Sequence, residues 1–195
     1  MFDRFLRSKP ATQAPPPASA PAAPGGPATP TTSGDTATVR RIVAKLEAMP
    51  PEQARLLAAA AYTLARAANA DLQISDDETA AIERELQEGE HIDEPTAVMV
   101  TEMAKLQAKT VGGTEDYVVT REFKSISSPE LRLRVLRACF AIAAANGSIS
   151  AEETSVLNQI AEELDIDDAA LNAIRADYHE QLSAVQTLRR MTPAS

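Results

Sequence analysis

The feature that most constrains this chain is an internal repeat. Residues 70–79 read ADLQISDDET and residues 145–154 read ANGSISAEET, in register at an offset of 75. Asp71 pairs with Asn146, Ile74 with Ile149, Ser75 with Ser150, Glu78 with Glu153 and Thr79 with Thr154. An Ala-rich apolar stretch precedes each copy and a stretch of helical periodicity follows it. Two helix–loop–helix copies of this kind cannot each bury an apolar face alone, so they argue for one pseudo-symmetric bundle.

The surrounding pattern agrees. In TATVRRIVAKLEAM, Val39, Ile42, Val43 and Leu46 recur at helical spacing. Further helices are expected over 51–69, 76–88, 94–109, 115–126, 129–145, 151–164 and 167–189. Pro51, Pro95 and Pro129 fall near helix starts, where a missing N–H costs little. TVGGT, residues 110–114, is the clearest break. No segment alternates as a strand does. The chain has no Trp and few aromatics, and Ala and Leu fill its apolar positions, which favours close helix–helix packing. The fold class read from this is all-α: a single bundle of about eight helices over residues 36–195.

Residues 10–35 are a different material. PATQAPPPASAPAAPGGPATPTTSGD holds eight of the thirteen prolines and too little apolar surface to offset the entropy of ordering it. It reads as a disordered, semi-rigid, extended spacer. Ahead of it stands MFDRFLRSK. Phe2, Phe5 and Leu6 would share one face of a short helix, with Arg4, Arg7 and Lys9 elsewhere. Residues 1–9 therefore read as a docking segment for a membrane surface or a protein partner, against the plainer reading of an unstructured start.

Charge narrows the partners. Asp3 against Arg4, Arg7 and Lys9 gives residues 1–34 a charge of +2, so the formal −9 leaves −11 for the rest. An acidic domain repels phosphates, and no nucleic acid is expected. The one cysteine, Cys139, forbids an intrachain disulfide. It shares a helix face with Leu136, Phe140 and Ala143, the position of a core residue. No secretory apolar region stands at the start, and the longest uncharged apolar run, residues 56–65, is too short for a bilayer. The expected location is cytoplasmic, peripheral at the inner membrane face if residues 1–9 dock on lipid.

The repeated loops admit two readings. SDDE and SAEE are both Ser-x-x-Glu capping boxes, in which Ser75 and Ser150 accept from the third amide and Glu78 and Glu153 reach back. The acids at Asp76, Asp77 and Glu152 suit a helix N-terminus, and Gly147 suits a left-handed turn. The second reading uses the same oxygens, from Asp71, Glu78, Asn146 and Glu153, to hold a hard cation. The EF-hand template fails: counted from Asp71, position 6 is Asp76 and position 12 is Ile82, and counted from Asn146, position 12 is Leu157. His91 and His179 have no partner at zinc spacing. Arg132, Arg134 and Arg137 read as a solvated face, and Tyr117 and Arg121 as a structural pair. No phosphate loop and no nucleophile–base motif is present, so the chain reads as non-enzymatic.

Two loops of this pattern in this order resemble the tellurite-resistance TerB family, whose superfamily includes the N-terminal domain of a DnaJ-like membrane co-chaperone. PPEQARLLAAAAYTLARAANADLQISDDET, LRACFAIAAANGSISAEET and GTEDYVVTREF carry the resemblance, over roughly residues 40–180. It implies an all-α bundle with a pseudo-repeat, and an acidic surface on the paired loops that holds a divalent cation (Ca²⁺, Mg²⁺, Mn²⁺ or Zn²⁺). The matching positions are Asp71, Glu78 and Glu153. Leu72 stands where the family often has Gly, and Asn146 replaces its usual Asp, which favours the first loop as the site. The implied role is a stress-associated scaffold without catalysis, tethered through residues 1–9. The alternatives are a metal-free structural adaptor and, less favoured, a metal-dependent hydrolase.

Overall fold

A computed structural model describes residues 33–90, 92–111 and 114–191. Phe2, Phe5, Leu6, the spacer up to residue 32 and His91 lie outside the described residues. Within them are nine α-helices: α1 (Ser33–Ala48), α2 (Pro51–Ala68), α3 (Asp76–Glu90), α4 (Glu94–Val111), α5 (Thr114–Ile126), α6 (Pro129–Ala143), α7 (Ala151–Glu163), α8 (Asp168–Asp177) and α9 (Ser183–Met191). No named strand occurs among the described residues. The all-α expectation holds, with boundaries within about three residues of those expected through α7.

Helix α2 is the axis of the bundle. Its LLAAAAYTLARAA run buries Leu57 and every residue from Ala59 through Ala68, as a largely apolar helix must. Alanines let neighbours approach closely, and α2 packs against α3, α4, α5, α6 and α7. The second Ala-rich helix, α6, packs on α2, and each also packs on both amphipathic helices, α3 and α7. That crossed arrangement is the pseudo-symmetry the repeat implied. Phe123, Phe140, Ile82, Leu86, Leu136 and Leu157 fill the space between.

The helix expected over 167–189 is interrupted. Helix α8 ends at Asp177, a 3-10 turn covers His179–Gln181, and Leu182 is extended before α9 begins. The interruption has a tertiary cause. Leu182 forms an isolated parallel β-bridge with Ile149. The Ile149 amide donates to the Gln181 carbonyl at 2.7 Å, and the Ser183 amide donates to the Ile149 carbonyl at 2.9 Å. Gln186 also donates to the Gly147 carbonyl at 3.1 Å. The chain after α8 leaves helical geometry to close over the second repeat loop.

Candidate functional site

The two repeat loops are the same object built twice. In the first, the Leu72 amide donates to the Asn69 carbonyl; in the second, the Gly147 amide donates to that of Ala144, 75 residues on. The Asp71 carboxylate accepts from the Gln73 amide at 2.9 Å, and the Asn146 side-chain oxygen accepts from the Ser148 amide at 3.0 Å. These are Asx turns, which either residue type makes equally well. This accounts for Asn146 at an acidic position without loss of the loop shape. Leu72 and Gly147 occupy the matching left-handed position, at φ 67° and 91°.

Both capping boxes are complete. The Ser75 amide donates to Glu78 Oε2 at 2.7 Å and the Glu78 amide to Ser75 Oγ at 3.2 Å. The twin bonds, Ser150 amide to Glu153 Oε2 and Glu153 amide to Ser150 Oγ, measure 2.6 and 3.0 Å. Thr79 and Thr154 donate back to the carbonyls of Ser75 and Ser150. The capping expectation is therefore met at both loops.

Capping does not account for where the glutamates sit. A cap glutamate is ordinarily on the surface, yet Glu78 and Glu153 are each only 2% exposed. They also face each other across the pseudo-symmetric junction, near enough for the two carboxyl groups to interact. Burial above all, and the neighbouring Glu78 carboxylate, push the Glu153 carboxyl above its ordinary range, against the opposing pull of the hydrogen bonds from Ser150. Two buried carboxyl groups this close disfavour a pair in which both are charged.

Asp71 and Asn146, named with them as candidate ligands, are exposed and turned to their own loop amides. Among the described residues, no group of three or more His, Cys, Asp or Glu side chains could hold a metal ion. The oxygens of Glu78 and Glu153 suit a hard ion such as Mg²⁺, which keeps much of its water and uses one or two carboxylates, better than Zn²⁺.

Sequence reasoning missed a second buried polar centre. Arg66 on α2 is 8% exposed and donates to Glu163 at 2.6 and 3.1 Å, to Thr120 at 2.9 Å and to Gln159 at 3.3 Å. Tyr62, one turn earlier, donates to Asp116 at 2.7 Å. Burial first, then that bond, raise the Tyr62 hydroxyl well above its usual value. The available signal was a single arginine inside the apolar run that begins at Leu56 of α2. Cys139 is fully buried and burial pushes its thiol up to about 12, so it is an unreactive core residue. His179 is exposed in the 3-10 turn. Arg121 lies over the Tyr117 ring at 5.8 Å, on one helix face as its spacing implied. Arg137 pairs with Asp177 at the surface. No helix among the described residues is long and apolar enough to cross a membrane.

Fold and site together define a class: an all-α bundle of two helix–loop–helix halves, joined where their capped acidic loops converge. The family model described as tellurite resistance protein TerB matches residues 56–176, which include both loops. The chain belongs to the TerB family. No curated protein and no solved structure matches it.

Proposed function

We propose that this chain is a non-catalytic TerB-type scaffold whose two halves are joined at the Glu78–Glu153 pair, neutralised by a proton or by a hard divalent cation. The observation that carries this reading is the approach of two buried carboxylates, one from each repeat loop. Each is tied to a cap amide through one oxygen. Such tethered groups are poorly placed to move protons for a reaction, which favours a structural role over hydrolysis. Cation binding at this junction would link the packing of the halves to the ionic state of the cell. That suits a stress-associated scaffold of the tellurite-resistance kind.

The test is a thermal melt of the full chain in EDTA and with Mg²⁺, Ca²⁺, Mn²⁺ or Zn²⁺, beside Glu78→Gln/Glu153→Gln. An ion at a hundred times its Kd should add about 2.7 kcal/mol, and the double variant should not respond. Asp71→Ala should respond like the parent, because Asp71 serves its own turn. If no ion shifts the melt, the proton alone neutralises the pair and the metal-free adaptor reading stands. A cation shift that survives the double variant would place the site elsewhere and sink the proposal.

A further inference from the structure

A groove of about 710 Å³ runs between α1, α2, α4 and α5. Ala54, Ala58 and Ala61 form its floor along one stripe of α2, where their small side chains let another chain approach closely. Leu46, Met103 and Val118 stand among its walls. Met103 is 58% and Val118 56% exposed, so large apolar side chains face outward where no described residue covers them. Glu115, Glu122 and Arg55 also line it, and Arg55 is paired with Glu122. An open apolar trough with a carboxylate beside it, Glu115, has the form that accepts a short amphipathic helix.

The chain carries a segment of that chemistry. Residues 1–9 place Phe2, Phe5 and Leu6 at the i, i+3, i+4 spacing of helix-in-groove anchors, with Arg4, Arg7 and Lys9 beside them. The charge is complementary: +2 through residue 34, against −11 for the remainder. The length suffices. Helix α1 begins at Ser33 and reaches the groove at Leu46, a rise of roughly 20 Å at 1.5 Å per residue. Residues 10–32 can span about 70 Å when extended, enough to double back along α1. A tether of this kind presents its end at about millimolar effective concentration, so even a weak helix–groove contact is occupied.

We propose that residues 1–9 dock in cis into this groove, with Phe2, Phe5 and Leu6 against the alanine floor and the basic side chains toward Glu115. This goes beyond the loop junction and does not depend on it.

The test uses the full chain with a spin label on Ser8→Cys, since Cys139 is buried and unreactive. The Val118 methyl resonances should broaden at high dilution. The broadening should disappear on Phe2→Ala/Phe5→Ala/Leu6→Ala. It should also disappear on Met103→Lys, an exposed position where an added cation repels the segment without emptying the core. A mixture of labelled, isotopically silent chain with unlabelled, isotope-enriched chain should show none. Broadening in that mixture as strong as in the doubly labelled chain would make a second copy the occupant and overturn the proposal. No broadening in any sample would overturn it too. Loss of vesicle co-sedimentation in the triple variant would then assign the segment to a membrane.

Discussion

Leu72 holds a backbone conformation that costs an L-residue with a Cβ energy, at φ 67°, while its twin Gly147 holds nearly the same one without that cost. Leu72 is also 80% exposed, so its side chain contributes little packing in return. Leu72→Gly should stabilise the chain, by less than about 1 kcal/mol once the greater freedom of unfolded glycine is counted. Gly147→Ala should destabilise it by about 1 kcal/mol. Chemical denaturation of both variants checks the pair, and equal effects of the same sign would refute it. The same scale governs Glu153. Its carboxyl is raised when folded, so its favourable contribution is full below the unfolded value of about 4.3 and is lost as pH rises through the folded value. In EDTA, Glu153→Gln should therefore melt higher than the parent at pH 7, and the gap should close on acidification toward pH 4.5. A gap that does not change with pH would mean that Glu153 is not the titrating group.

At the scale of elements, the two loops differ in what covers them. The second is closed by the Ile149–Leu182 bridge and by Gln186. Proline is tolerated in the first turn of a helix and after an extended residue, and Leu182 is extended at ψ 121° just before α9 starts. Ser183→Pro should therefore preserve α9 while deleting the amide that donates to Ile149. The expected cost is about 1 kcal/mol, read as severalfold faster amide exchange at Ile149 and along the start of α7. Unchanged exchange there would show that the bridge does not hold the loop. Most elements were legible in the residues. Proline and Ser128 mark the start of α6, the Gly112–Gly113 pair separates α4 from α5, and Ser-x-x-Glu starts α7. The break after α8 was not legible, because LRRM and the residues before it keep helical spacing while the cause lies at Ile149.

For the whole molecule, Arg66 joins α2, α5 and α7 through Thr120, Gln159 and Glu163. Removing one member of a buried ion pair leaves the other uncompensated, so Arg66→Met should cost about 3 kcal/mol. Arg66→Met/Glu163→Leu should regain much of that loss. A single variant as stable as the parent would show the network to be dispensable.

The sequence by itself determined the helices through α7, the repeat and the form of its loops. Asx turns and capping boxes are closed by residues two or three apart, and an apolar stripe is a property of one helix. Only the tertiary structure decided that Glu78 faces Glu153, that Arg66 has a partner 97 residues away, and that α2, α4 and α5 leave a groove between them. Those contacts depend on how one helix is rotated and placed against another. That arrangement is set by the packing of the whole core and leaves no period in the residues on either side.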